Sequence, residues 1–347
     1  MNTNTLAPIA NPSAVLDTIA SRLSPSTRLA YQQSVKVARN YFDANGLEFY
    51  PLTVEGHPDT TRFIEQVLLY LQTLLDSGRT ASTLNKTLSA FKWDASHTNP
   101  LFFNALHAVV FKNFMEGVAR TTRSHTPRKA SALTVPMLTD LYSYLNRSAS
   151  LRAVRDKALI SLGIATALRS SNLAELRLAD VSSTYTIDGL NVRVRFSKTD
   201  QEGHGAVIPV LSVPSRLHDP VSAVNKWLSV LEQFGFTRST HPDYPLFPNI
   251  RGERGLTSAP IKNSAITISR LLRSWLVESG VVSESVADLY SSHSLRATFI
   301  TLSSQAGVAE NHIAEISGHK DMSTLRSYDR TSQEQHAQNS YLTHYLS

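Results

Sequence analysis

The sequence predicts a mainly α-helical chain carrying a small antiparallel β-sheet, an α+β fold in two lobes. Three features point there. Helix-period apolar stripes follow one another from Leu16 to Val118. A period-two alternation occupies a short stretch around Val192–Phe196 and Val207–Val210. A length of 347 residues, at about 150 residues per domain, allows roughly two domains.

Leu16, Ile19 and Leu23 make the first stripe. Ser24-Pro25 then offers a capping hydroxyl and a proline suited to a first helical turn. The helix beginning there places Tyr31, Val35, Ala38 and Phe42 on one face and stops at Asn45-Gly46. A third helix uses Phe63, Val67, Tyr70, Leu71, Leu74 and Leu75 and ends at Gly78. A fourth starts after Thr80 with Leu84, Leu88 and Phe91, and a fifth follows Pro100 with Leu106, Val110, Phe114 and Val118. Residues 13–119 are therefore expected to form a helical bundle, behind a flexible tail at 1–12.

The apolar rhythm then stops. Arg120, Arg123, His125, Arg128 and Lys129 crowd residues 120–131 around Pro127, a linker that reads equally as a solvated hinge or as a basic strap along a phosphate backbone. The second lobe, 132–347, opens with Thr134-Val135-Pro136 and a helix through Leu138, Leu141 and Leu145. The run Leu159 to Leu168 is apolar nearly all round, which predicts a buried central helix with Arg169 emerging from its end. A guanidinium there needs a carboxylate or a ligand. A polar loop at Asp188-Gly189 is expected between two β-like runs. Val192, Val194 and Phe196 alternate with Arg193 and Arg195, Val207-Ile208-Pro209-Val210 returns, and Asp200–Gly205 forms the tip, with Lys198 on the hairpin loop. Further helices are expected around Val221–Leu231, Ile268–Leu276, Leu295–Leu302 and Val308–Ile316, and in a tail at 331–347.

Composition narrows the function. A hydrophobic share of 41% with 18% charged residues is that of a globular protein. The net charge of +6 favours a polyanionic partner. With no cysteine, thiolate nucleophiles, disulfides and cysteine-ligated metals are excluded, and the chain suits a reducing cytosol. Met1–Pro12 lacks the features of a signal peptide. No run approaches the roughly 20 apolar residues of a membrane span, so a cytoplasmic location is expected, with no membrane partner. The 12 histidines form no H-E-x-x-H motif, so neither a metal nor another cofactor is expected.

The chemistry-bearing residues are Arg169, Lys198, His293, Arg296, His319 and Tyr328. His293 and Arg296 stand three apart behind Ser291-Ser292, on one face of a helix's first turn. Gly318-His319 reads as a helix-ending glycine and a loop histidine, nine residues before Tyr328. Each pair alone also fits an ordinary surface helix or tail. As a set they supply two guanidinium groups, two imidazoles, a lysine and a phenol, enough to exchange a phosphodiester for a phosphotyrosine without metal. The guanidinium groups can meet the non-bridging oxygens with paired N–H donors. Tyrosine, with a reference pKa of about 10, must lose its proton as it attacks, and His293 is the expected acceptor.

This ordered set resembles the tyrosine recombinases of the phage integrase family, with a layout similar to Cre-type recombinases from Tyr31 to Tyr328. The matching segments are Ala165-Thr166-Ala167-Leu168-Arg169 with its continuation Leu173 to Asp180, then Lys198, His293 and Arg296, His319, and Tyr328 as nucleophile. The resemblance implies a helical core-binding domain and a catalytic domain that close as a clamp around duplex DNA. It implies Lys198 as general acid on a mobile hairpin, a 3′-phosphotyrosyl intermediate with a free 5′ hydroxyl, and no need for ATP. It further implies a dimer on one site, a tetramer on two sites exchanging strands through a Holliday junction, and a tail docking on a neighbour through Tyr341, Leu342, Tyr345 and Leu346.

One departure stands out: Asn172 occupies the position where the family usually carries a bracing carboxylate, and Glu175 follows three residues later. Candidate DNA contacts are Thr83, Lys86 and Lys92 on one helix, the linker cations Arg120, Arg123, Arg128 and Lys129, and Lys262-Asn263. Two other readings use the same residues, a tyrosine-dependent topoisomerase and a DNA-binding regulator without catalysis.

Overall fold

The structure, a computed structural model, describes residues 23–122, 129–184, 188–195, 205–252 and 255–319. The chain separates into two compact units, Met1–Pro127 and Arg128–Ser347. Among the described residues it is mostly helical, with a three-stranded and a two-stranded antiparallel sheet, both in the second unit. No described helix is long and apolar enough to cross a membrane. Leu16 and Ile19 of the first apolar stripe, the linker cations Arg123 and Arg128, Lys198 with residues 200–204 of the hairpin tip, and the tail with Tyr328 lie outside the described residues.

The first unit holds α1 (Pro25–Ala44), α2 (Thr60–Asp76), α3 (Ala81–Thr98), α4 (Pro100–Ala105) and α5 (Val109–Thr121). Ser24, Asp59 and Thr80 cap the first three by accepting backbone N–H bonds. Their core is aromatic, with Phe42, Phe63, Phe91 and Phe102 almost fully buried. Phe49 stacks on Phe91 at 5.2 Å, and Phe63 tilts against Phe102 at 4.7 Å. Burying each such ring contributes about 1.5–3 kcal/mol. The predicted fifth helix is in fact two. Ala108 turns extended before α5 restarts, which rotates the register, so Phe111 is buried in the place expected of Val110, and Val110 is exposed.

The second unit runs α6 (Val135–Arg147), α7 (Leu151–Thr166), α8 (Ser170–Glu175), β1 (Val181–Ser183), β2 (Gly189–Val194), β3 (Ala206–Leu211), α9 (Pro220–Gln233), β4 (Pro248–Arg251), β5 (Gly255–Pro260), α10 (Ser264–Glu278), α11 (Glu284–Ala287), α12 (Ser292–Gln305) and α13 (Glu310–Ser317). In the larger sheet β2 is central, with Val192 opposite Ile208 and Val181. Pro209 is tolerated because β3 is an edge strand. Gly189, expected in a loop, instead opens β2 opposite Leu211, where a Cβ would meet the Val210 carbonyl at 2.7 Å. The β4–β5 hairpin was not expected: its burial pattern shows no clean alternation. The last described helix begins at Glu310, leaving Val308 and Ile316 exposed, while Ile313, Ala314 and Ser317 face inward.

Helix α7 is the axis of this unit. It is buried on nearly every side, even at Arg155, Asp156 and Lys157. Asp156 pairs with Arg155 and accepts from Trp275 Nε1 at 2.7 Å, tying α7 to α10. Burial pushes its carboxyl pKa up, while the Arg155 charge and the Trp275 bond oppose that rise.

Candidate active site

Arg169 is delivered by the end of α7. That helix stops at Thr166, two residues before the expected Leu168, because Ala167 adopts a left-handed conformation with φ 50°. A non-glycine residue there costs about 1–2 kcal/mol, so the surroundings must hold it. Arg169 is then extended, as the N-cap of α8. The turn is braced from across the unit: Arg296 Nη1 donates to the Ala167 carbonyl at 3.1 Å.

Arg296 lies on α12, whose start is tightly fixed. Ser291 accepts from the His293 N–H at 3.3 Å, Ser294 Oγ accepts from the Ser291 N–H at 3.0 Å, and Ser292 N–H donates to Ser269 Oγ at 2.8 Å. Helices α7 and α12 touch at Gly163, where a Cβ would stand 2.8 Å from Leu295 Cδ1 and 3.0 Å from Leu173 Cδ2. A side chain there would have to displace both leucines, so the glycine eases the approach that brings both arginine-bearing segments together. Arg296 is 5% exposed, while His293 sits at the surface one turn earlier.

His319 reaches the same place by a helix-ending turn. Gly318 is left-handed at φ 64°, and His319 N–H donates back to the Ala314 carbonyl at 3.0 Å. The ring then meets Arg296 Nη2, 3.1 Å from Nε2 and 3.3 Å from Nδ1. Ser317 Oγ lies 2.8 Å from Nδ1 and donates its own proton to the Ile313 carbonyl. It therefore accepts from Nδ1–H, and Nε2 presents its lone pair to a guanidinium that can only donate. Burial, then the charges of Arg296 and Arg169, lower the His319 pKa to about 4. Partial desolvation of its exposed ring, then the same two charges, lower that of His293.

Arg169, Arg296, His293 and His319 thus belong to one cluster, with neutral imidazoles beside two cations that can receive an oxyanion. Two participants were not foreseen. Ser317 orients His319, and the Ala167 carbonyl orients Arg296. The turn at Gly318 hinted at the first, while a backbone contact leaves no mark in sequence.

Asn172 and Glu175 border a neighbouring cleft of about 490 Å³ with Arg177, Asp180, Arg193 and Arg195. There Arg195 Nε donates to Asp180 at 2.8 Å. A second depression, about 830 Å³, runs along α10 past Ile266, Ser269, Arg270 and Arg273 to His293. Ile266 is 69% exposed, so this face of α10 leads to the histidine.

The remaining candidates are dispersed. Thr83 and Lys86 stand three apart on α3, with Lys86 exposed and Thr83 bonded to Thr80 at the helix cap. Lys92 borders a groove with His107 and Lys112. Arg120 and Lys129 are exposed, Lys262 is exposed, and Asn263 is left-handed at φ 47° ahead of α10.

Comparison with known proteins follows this geometry. The model of the phage integrase family matches residues 132–335. The "Integrase/recombinase xerD homolog" of Selenomonas ruminantium is 25% identical over 281 residues, 79% of this chain and 75% of that protein. Among solved structures, the Tn1549 transposon integrase in complex with transposon right end DNA has a TM-score of 0.56 at 13% identity, covering 93% of this chain and 98% of that one. A lambda integrase tetramer bound to a Holliday junction has a TM-score of 0.54 at 18% identity, covering 90% and 74%. The structural likenesses bear on fold; the family match, spanning the whole cluster from Arg169 to His319, bears on chemistry. The chain belongs to the phage integrase family, the tyrosine recombinases, enzymes that break and rejoin DNA.

Proposed function

We propose that the chain is a site-specific recombinase in which Tyr328 attacks a DNA phosphodiester to form a 3′-phosphotyrosyl link, without metal or ATP. The convergence of Arg169, Arg296, His293 and His319 on one spot supports this most strongly. Arg169 and Arg296 hold the non-bridging oxygens through the build-up of negative charge. His293, held neutral, takes the phenol proton, and His319 orients Arg296 by accepting from its guanidinium. Lys198 returns a proton to the departing 5′ oxygen. The covalent link retains the bond energy, so a 5′ hydroxyl from another strand reverses the step.

Residues 13–119 form the core-binding domain, 120–131 the basic linker, and 132–347 the catalytic domain, the two domains clamping a duplex. Thr83, Lys86, Lys92, Arg120, Arg123, Arg128, Lys129, Lys262 and Asn263 are its DNA contacts. The enzyme works as a dimer on one site and a tetramer on two, exchanging strands through a Holliday junction, with the 331–347 helix docked on a neighbour. It acts at the nucleoid. The tetramer on a Holliday junction seen for lambda integrase supports the assembly.

The test is strand exchange between two differently marked duplexes that share the target site. Recombinant strands are expected. Relaxation of a supercoiled plasmid by a monomer, with no exchanged strands, would overturn the recombinase reading in favour of a topoisomerase.

A further inference from the structure

Toward the start of α7, the helix whose end delivers Arg169, a cavity of about 370 Å³ lies between α6, α7 and α9. Its polar lining is Asn146, Lys157, Arg216, Ser222 and Lys226. Lys157 is 8% exposed. Its ammonium donates to Asn146 Oδ1 at 2.8 Å and lies 5.4 Å from the centre of the Tyr142 ring. An ammonium has three N–H groups, and an amide plus a ring face leave it without a direct ion pair. Lysine is almost never buried without one.

None of the ion pairs among the described residues involves Lys157, Arg216 or Lys226. Asp219 is the nearby carboxylate, but its oxygens already accept from the N–H groups of Val213, Val221 and Ser222 and from the Ser212 hydroxyl. Burial and then the Lys226 charge lower the Lys157 pKa against an opposing pull from Asp219, and burial followed by the Lys157 charge lowers that of His218. Three cations thus face a single carboxylate, whose charge offsets only part of theirs.

We infer that this cavity binds a phosphate group, with buried Lys157 as the inner cation and exposed Arg216 and Lys226 closing over it. Three separate cations and the Ser222 hydroxyl suit a tetrahedral dianion, which offers more acceptor oxygens than a carboxylate. The phosphate could come from a small phosphorylated molecule or from a DNA backbone; the recognising chemistry is the same. The inference is independent of the recombinase reading, because none of these residues belongs to the arginine–histidine cluster.

Equilibrium dialysis of the whole chain against radiolabelled inorganic phosphate, at constant ionic strength, tests it. The arginine–histidine cluster is itself a phosphate site, so the quantity read is the class of binding lost in an Arg216→Ala/Lys226→Ala double variant. Both side chains are exposed, so its unfolding temperature should match that of the wild type. One class of bound phosphate is expected to weaken at least about tenfold, and Lys157→Met should abolish the same class. Unrelated duplex DNA that displaces this phosphate would identify a backbone as the source; phosphate retained under excess duplex would identify a small molecule. Unchanged phosphate binding in the double variant, or no phosphate bound by the wild type, would overturn the site.

Discussion

The carbonyl oxygen of Ala167 accepts a 3.1 Å hydrogen bond from Nη1 of Arg296, joining the end of one arginine-bearing segment to the other arginine. The same guanidinium touches His319 through Nη2. A lysine has no fork to serve both at once. Arg296→Lys should therefore lose about 1–3 kcal/mol of stability, from a buried acceptor left unpaired, and at least about a hundredfold in cleavage rate. Urea unfolding and single-turnover cleavage check the two parts.

Ala167 itself is tolerated in its left-handed turn because its side chain is small. Ala167→Val places a β-branched residue at positive φ and should cost about 2 kcal/mol or more. Ala167→Gly relieves the strain and should fold at least as well, within about 1 kcal/mol. Thermal unfolding of the pair orders them, and equal stabilities would argue against strain at this turn.

His319 supplies a pH signature. Its folded pKa is lowered to about 4, while the unfolded imidazole titrates near its ordinary value of about 6.5. Between these values the unfolded chain holds the extra proton. The stability is therefore fully present above about pH 6.5 and is lost as pH falls toward 4. His293 acts in the same direction. In His319→Gln the slope of stability against pH should flatten in that window, read from denaturant midpoints at about pH 7.5 and about pH 5. An unchanged slope would remove His319 from the account.

Lys198 as general acid predicts a leaving-group effect. Lys198→Ala should slow cleavage of an ordinary substrate by about 10²–10⁴-fold, yet lose much less on a substrate whose 5′ leaving group needs no proton. Equal losses on both would assign Lys198 another role.

How much of this was legible in the sequence follows from which interactions leave periodic traces. The helix caps at Ser24 and Thr80 and the buried α7 could be read because capping chemistry and apolar periodicity are local. The fifth-helix break was hidden, since Ala108 carries no stop signal. At the site, Arg169, His293, Arg296 and His319 were legible as an ordered set. Their coupling was not: the contact of Gly163 with Leu295, the Ala167 carbonyl and the Ser317 hydroxyl join residues far apart in the chain or act through backbone.

The central claim is that Tyr328 becomes covalently attached to DNA with the arginine–histidine cluster as its phosphate cradle. Incubating the chain, without magnesium, with a nicked duplex carrying its target site should trap a protein–DNA adduct. Tyr328→Phe should bind the same duplex and form none. An adduct that persists in Tyr328→Phe would contradict the account.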